Sequence, residues 1–471
     1  MATGTTVFSR VTVVAPNTRI DLALPADVAV ADLLPMLLDM AREGSSDGGS
    51  RHGGWCLAKL GDEPLDNSQT LASLGIVDGD LLQLRRRSDN PPPPLYDDVV
   101  DALAEAEPGS YRPWTKETAA KIGHTAGVLG LTAAATSLGL AGQFGTLPYQ
   151  IVTAAIALVV AVFATGIGSV VTRAHGAATT GTVIAGAGGL PMAFVAGLNA
   201  VPSDDLRPGL LLASALVLIF ASISLMVIGT GVVTFIAAAT MSAFAVLAFI
   251  ATLLLPSGAS AAGVAAGAGA VGLAGISLLP RLTIQLAKLP LPHVPGNADD
   301  LKEDEGFPDY RMIERRTGLA HQYMTGLIIG CGLTAALGAI LAITLPGGGV
   351  WGALFAFVVS AVLLLRGRNY ANGSQAVALL LNGLLAAVGV AAGLLVQTAL
   401  TPLAVAWVFP PMLVLGVAAL VFGVVFPNRR FSPVQRRMVD ILEAVLIALV
   451  LPLALGVMDL YMTIRDLNIS F

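Results

Sequence analysis

Hydrophobic residues follow different periods along this chain, and the changes of period divide it. From Val7 to Val14 and from Arg19 to Leu24 apolar and polar positions alternate. Ile20, Leu22 and Leu24 fall on one face and Arg19, Asp21 and Ala23 on the other, the repeat of a half-buried strand. Pro16-Asn17-Thr18 between them has turn chemistry, so a β-hairpin is expected. Val30, Leu33, Leu34, Leu37, Leu38 and Ala41 then recur at helical spacing and predict one apolar stripe on a helix. Pro35 fits such a helix near its first turn or at a kink. Gly44 to Gly54 reads as a loop, and strands are expected at Trp55 to Leu60 and Leu81 to Arg85. After Trp114 short repeats give way to long uncharged runs: Ile122 to Gly142, Tyr149 to Thr172, Thr180 to Leu198, Gly209 to Ile228, Val232 to Leu255, Ala261 to Leu279, Tyr323 to Leu345, Gly349 to Leu365, Gln375 to Val396, Leu403 to Phe426 and Ile441 to Leu460. Each approaches the ~20 helical residues that cross a ~30 Å hydrocarbon core. The two runs meeting at Gly229-Thr230-Gly231 are read as separate spans, since one helix of about 45 residues would be roughly twice a bilayer's thickness.

The pattern predicts an α-helical polytopic membrane protein of about eleven transmembrane helices, preceded by an N-terminal α+β domain. Residues 1–87 form that domain, 88–115 a linker, and 116–471 the transmembrane part with a cytosolic loop at 280–321. The order β-β-α-β-β, with Leu65, Thr70-Leu71, Gly75-Ile76 and Asp78-Gly79-Asp80 before the last strand, resembles ubiquitin and implies a β-grasp fold. Conjugation is not expected, because Arg85-Arg86-Arg87 runs on into the linker and no terminal glycine carboxylate follows the strand. The domain is expected to bind rather than react, and the resemblance implies that its sheet face does so. In the linker, Asn90-Pro91-Pro92-Pro93-Pro94 is a stiff polyproline spacer. Asp97 to Glu107 sets Val99, Val100, Leu103 and Ala106 among acids, so a short amphipathic helix is expected, docked on a partner or solvated.

Composition agrees with a membrane location and adds an orientation. The chain is 55% hydrophobic and 12% charged, with a mean hydropathy of +0.78, whereas soluble domains are about a quarter charged. No basic segment followed by an apolar core opens the chain, so the N-terminus is expected in the cytosol. With that end inside and eleven crossings, sixteen Lys and Arg fall in inner connections and only Arg207 and Arg465 outside, as the positive-inside rule requires. The C-terminus is then expected on the outer side. Cys56 and Cys331 are the only cysteines, and both are read as free and buried.

The spans carry little that could do chemistry. Transport of ions or protons needs ionisable groups near mid-membrane. Asp440, Glu443 and Asp459 lie at the ends of the last span and are read as solvated or end-capping. His52, His124, His175, His293 and His321 form no metal-ligand spacing. No catalytic residue, cofactor, metal or nucleic-acid partner is expected. Small residues are abundant: Gly263 with Gly267, Gly389 with Gly393, and Gly326 with Gly330 repeat every four residues. Such pairs let helices approach within or between subunits, although chance also produces them in a Gly/Ala-rich chain. Asn382 and Gln397 are read as interhelical hydrogen-bonding groups. The segment Arg281 to His321, with acidic Asp299 to Glu305 and basic Arg311, Arg315 and Arg316, reads as a surface for docking another protein or as a solvated connection.

A ubiquitin-like head, a Pro-rich linker and about eleven spans together resemble EccD, the multi-spanning membrane subunit of the mycobacterial type VII (ESX) secretion systems. Val30-Ala31-Asp32-Leu33-Leu34-Pro35 and Gly75-Ile76-Val77-Asp78-Gly79-Asp80 carry the likeness, and the text leans toward the paralogue of the iron-linked system. The resemblance implies a homodimer within a larger inner-membrane complex, with EccB, the EccC ATPase and EccE as partners beside the membrane lipids. It implies no catalytic residues. The competing reading from the residues alone is a self-sufficient permease for an uncharged solute. Scarce intramembrane charge and a tethered binding domain favour the complex subunit.

Overall fold

The computed structural model describes residues 8–16, 18–41, 54–59, 63–86, 114–203, 205–254, 260–289, 310–397, 401–424 and 432–461. The polyproline stretch, the amphipathic segment Asp97 to Glu107, the acidic run Asp299 to Glu305, and Arg429, Arg430 and Arg465 lie outside them. The chain divides into two units, Met1–Pro113 and Trp114–Phe471.

In the first unit, strands β1 (Phe8–Val14), β2 (Arg19–Pro25), β3 (Trp55–Lys59) and β4 (Leu81–Arg86) form one sheet in the order β2-β1-β4-β3. β1 pairs antiparallel with β2 and parallel with β4, and β3 pairs antiparallel with β4. Helix α1 (Val30–Ala41) buries Val30, Leu33, Leu34, Leu37 and Ala41, and Pro35 lies inside it. Val11 and Val13 of β1, Leu24 of β2, Leu57 of β3 and Leu82 and Leu84 of β4 complete the core. This is a β-grasp, the ubiquitin-like fold expected from the strand pattern. The Asp78-Gly79-Asp80 turn is held by its carboxylates: Asp78 accepts the Arg10 N–H at 2.6 Å and Asp80 the Val77 N–H at 3.1 Å. Gly79 within the turn and Gly75 before it adopt φ of +89° and +66°, which an L side chain would strain.

Among the described residues, the regular structure of the second unit is all helical. In chain order it comprises α2 (Lys116–Phe144), α3 (Leu147–His175), α4 (Ala178–Ala200), α5 (Leu206–Ile228), α6 (Val232–Leu254), α7 (Ala261–Gly275) and α8 (Leu279–Leu286). Then follow α9 (Tyr310–Thr344), α10 (Gly349–Arg366), α11 (Gly373–Gln397), α12 (Pro402–Val424) and α13 (Pro433–Val457). Gly229 and Gly231 both have positive φ, so the break read at Gly229-Thr230-Gly231 is a tight turn between α5 and α6.

Among the described residues, nine helices are long and apolar enough to cross a bilayer, and the pair α7–α8 makes ten if counted as one span. By that measure nine or ten of the expected eleven spans are met. Segment Ala261 to Leu279 is not straight, because α7 and α8 meet at 64° just before Pro280. Segment Leu403 to Phe426 forms α12, uncharged along its length, with Pro410 and Pro411 inside the helix. Prolines remove two of its hydrogen-bond donors. The loop expected at 280–321 is also shorter: α8 enters it from one side, and α9 begins at Tyr310, so Arg311, Arg315 and Arg316 are helical.

Two apolar clusters organise the helices. One gathers α2 to α6 around Ala135, Ala161, Ala193, Ala221 and Phe235. The other gathers α7, α9, α10, α11 and α13 around Ile328, Ala335, Ala339, Phe355 and Leu379. At 35 residues α9 is the longest helix, about 52 Å at the usual rise and longer than the hydrocarbon core. Helix α4 contains a π-helical stretch, Ile184–Gly189, whose glycines leave room for Leu131 of α2 and for Ala161 and Thr165 of α3.

Candidate functional site: packing glycines and a buried ion cluster

Each glycine pair read from the sequence lies at a crossing within the chain. A Cβ at Gly263 would stand 2.9 Å from Met458 Cα and one at Gly267 3.0 Å from Met458 Cε, at the end of α13. Gly389 faces Ile340 of α9, and a Cβ at Gly393 would meet Thr344 Cγ2 at 2.7 Å. Gly326 and Gly330 abut Ile236, Ala237 and Thr240 of α6. A further close crossing joins α9 to α7. A Cβ at Gly338 of α9 would lie 2.6 Å from Gly269 Cα in α7, so the two backbones nearly touch, as small residues allow. Gln397 donates to the Ile343 carbonyl at 2.6 Å, and buried Asn382 packs on Gly332. Asn199 accepts from Gln143 at 2.9 Å, and His124 bonds Thr180 at 2.9 Å, tying α2 to α4.

The basic residues of α9 line a groove of about 560 Å³ with the end of α8. Arg316 closes one side by donating to the Lys288 carbonyl at 2.6 Å, satisfying an acceptor that α8 leaves at its C-terminal end. Arg311 and Arg315 share the groove with Lys288.

The structure departs most from the sequence reading at Glu443. Asp440 is exposed, with 63% of its side chain accessible, but Glu443 is buried to 6%. A carboxylate so placed is costly without partners, and it has three. Arg368 Nη2 donates to Glu443 Oε2 at 2.9 Å and to Asp440 Oδ1 at 2.7 Å. Asn369 Nδ2 reaches both Glu443 oxygens at 3.2 Å, and Arg366 Nη1 stands 3.7 Å from Oε1. Arg366 also donates to Ser277 in the α7–α8 bend at 2.6 Å. Glu443 therefore fastens α13 to the end of α10, and Arg366 extends the cluster to the bend. Far along the same helix pair, a Cβ at Gly456 of α13 would lie 2.9 Å from the Trp351 ring of α10. The two helices are thus joined near both ends. The available sequence signal was a Glu three residues after an Asp, followed by a wholly apolar run, so that only Asp440 faced water.

Taken together these features define a multi-pass α-helical membrane protein with a ubiquitin-like N-terminal domain and helices packed through small residues. Residues 119–467 match the family described as EccD-like transmembrane domain, and residues 8–84 match WXG100 protein secretion system (Wss), protein YukD. The chain belongs to the EccD family of the type VII secretion systems. It is similar to the ESX-4 secretion system protein eccD4 of Mycobacterium tuberculosis, 28% identical over the full length of both. It is also similar to the ESX-3 secretion system protein EccD3 of Mycolicibacterium smegmatis, 27% identical over 95% of this chain and 94% of that one. The near-equal identities do not assign it to one ESX system, so the leaning toward a particular paralogue is not sustained by identity. The fold is shared with protomer 1 of the ESX-3 core complex, with a TM-score of 0.61, 24% identity, and 97% and 100% of the two chains covered.

Proposed function

We propose that this chain is a structural, non-catalytic subunit of a type VII secretion complex in the bacterial inner membrane. It pairs with a second copy, frames the membrane assembly, and holds EccB, the EccC ATPase and EccE through its ubiquitin-like domain and cytosolic connections. The observation that carries the reading is the match of both units, 8–84 and 119–467, to secretion-system families, together with likeness to relatives over their whole length. The glycine faces support it as well: spent on internal crossings, they make the helices a frame. Purification of the tagged chain in mild detergent is expected to bring down stoichiometric membrane partners, including a second tagged copy. Recovery as a lone monomer would overturn the proposal. Deleting Met1 to Arg87 is expected to leave the spans inserted and to abolish assembly; unchanged secretion would remove the domain's role.

The N-terminus lies in the cytosol and the C-terminus on the periplasmic side in this reading. Eleven crossings need both the bent pair α7–α8 and α12 to traverse the bilayer. A reporter enzyme active only outside the cytosol and fused after Phe471 is expected to be active. A stable but inactive fusion would show an even number of crossings.

A further inference from the structure

Helix α8 is built unlike the spans around it. After the 64° bend, Leu279, Thr283 and Ala287 turn inward and are buried, while Leu278, Leu282 and Leu286 remain 58%, 43% and 56% exposed. Arg281, Gln285 and Lys288 are exposed as well. An apolar exposed stripe beside polar residues on a helix turned away from its span is the form of a helix lying in the membrane interface. Its depth is fixed by Thr283, whose hydroxyl lies 3.9 Å from Met324 Sδ, in the first buried turn of α9. On α9, Tyr323 is adjacent to that turn, and Leu319 and Arg315 follow at four-residue steps toward the helix start. These steps place them about 6 and 12 Å further out, at the headgroup layer and its outer edge. The groove between α8 and α9 therefore has Leu286, Leu319 and Tyr323 along its inner part and Lys288, Arg311 and Arg315 at its mouth.

We propose that this groove binds an anionic phospholipid, its acyl chain along Leu286 and Leu319 and its phosphate between Lys288 and Arg315. The cations complement a phosphate, and the apolar floor at membrane depth distinguishes a lipid from a soluble acidic peptide, which needs no such floor. The proposal rests on the chain's being a multi-pass membrane protein and is independent of its place in a secretion complex.

The test is titration of the full chain in non-ionic detergent with fluorescent phosphatidylglycerol and phosphatidylcholine. Phosphatidylglycerol is expected to bind, with phosphatidylcholine weaker by about tenfold or more, and glycerol 3-phosphate is expected not to displace it. A cation near the headgroups is worth about fivefold, so the double variant Lys288→Gln with Arg315→Gln is expected to weaken binding about 25-fold, and Arg315→Gln alone about fivefold. Arg436→Gln with Arg437→Gln removes the same charge from exposed positions on α13 and is expected to change binding less than about twofold. Equal losses in the two double variants, or equal binding of both lipids, would overturn the proposal. So would displacement by glycerol 3-phosphate, or by a peptide with the sequence of residues 297–306, which would make an anion or an acidic segment the occupant. Substitution at exposed residues is expected to leave the unfolding midpoint unchanged, so a loss of binding reports on the site.

Discussion

Replacing Glu443 by Gln tests whether the ion cluster fastens α13 to the rest of the helical unit. The substitution keeps the shape and one acceptor but removes the charge and turns an NH2 group toward the donors of Arg368 and Asn369, which lie 2.9 and 3.2 Å away. Breaking a buried pair by removing one partner costs about 3–5 kcal/mol when the other is left alone. Here neither arginine is left alone: Arg368 keeps Asp440 at 2.7 Å and Arg366 keeps Ser277 at 2.6 Å. The buried carboxylate's desolvation penalty also disappears. What remains is one charge-assisted bond, about 1.5–3 kcal/mol, so the expected loss is about 2 kcal/mol. Asp440→Asn removes a shorter bond, but at a side chain 63% exposed, where screening leaves about 0.2–1 kcal/mol. The expected order is thus the reverse of the order by bond length.

The assay is equilibrium unfolding of the purified full chain in mixed micelles of rising SDS fraction. Trp351 serves as the probe because its ring packs on Gly456 of α13; Trp55, Trp114 and Trp407 are changed to Phe. A double-mutant cycle of Glu443→Gln with Arg368→Gln is expected to give a coupling of about 1.5 kcal/mol, and one of Asp440→Asn with Arg368→Gln about 0.5 kcal/mol. If Asp440→Asn costs as much as Glu443→Gln, or if the Glu443 coupling is below about 0.5 kcal/mol, burial does not govern this cluster and the reasoning fails.

Two further outcomes follow from the packing and from the turn in the ubiquitin-like domain. Gly338→Ala places a methyl against the Gly269 backbone, which cannot yield as a side chain can, and is expected to cost about 1–3 kcal/mol in the same unfolding assay. Gly166→Ala, with no atom within 4 Å of its Cβ, is expected to be neutral or stabilising by up to about 1 kcal/mol; equal effects would deny the α7–α9 contact its role. The Val77 N–H, then Lys59, hold the Asp80 carboxyl below its ordinary value. A depressed carboxylate contributes stability above its unfolded value and loses it as pH falls through the folded one. Asp80→Asn is therefore expected to speed hydrogen exchange in β1 and β4 at pH 7, with the difference from the parent shrinking below about pH 4.

The two units were legible to different degrees, and the reasons are physical. In the ubiquitin-like domain each apolar residue of the α1 stripe except Leu38 is buried, because one helix on one sheet has a single inner face and periodicity alone identifies it. In the membrane unit both faces of a helix are apolar, since lipid replaces water, and the pattern no longer says which face packs. Composition marked the spans but not their partners. Gly338 against Gly269 could not be told from Gly166, which touches nothing. The bend between α7 and α8 was foreshadowed only by Pro280, and the π-helical stretch of α4 by its glycines. A rule based on hydropathy also treats a charge near a span end as wet.

That rule fails at Glu443 for a reason that concerns length. Its helix starts at Pro433, so Glu443 stands ten residues in, about 15 Å along the axis, beyond what a glutamate side chain can span back to the helix start. Arg366 ends α10 and Arg368 lies in the short 3-10 turn that follows, so both are free to turn toward it. Whether a charge near a membrane surface is solvated or structural depends on how far the neighbouring helix extends, which hydropathy along one segment does not contain. Charge pairing between segments does contain it: basic residues ending one span and an acid inside the third helix after it fit together if those helices are antiparallel neighbours. Applied here, the pairing of Arg366 and Arg368 with Glu443 requires α10 beside α13, with the end of one near the start of the other, and that is the arrangement the Trp351–Gly456 contact at the opposite ends independently fixes.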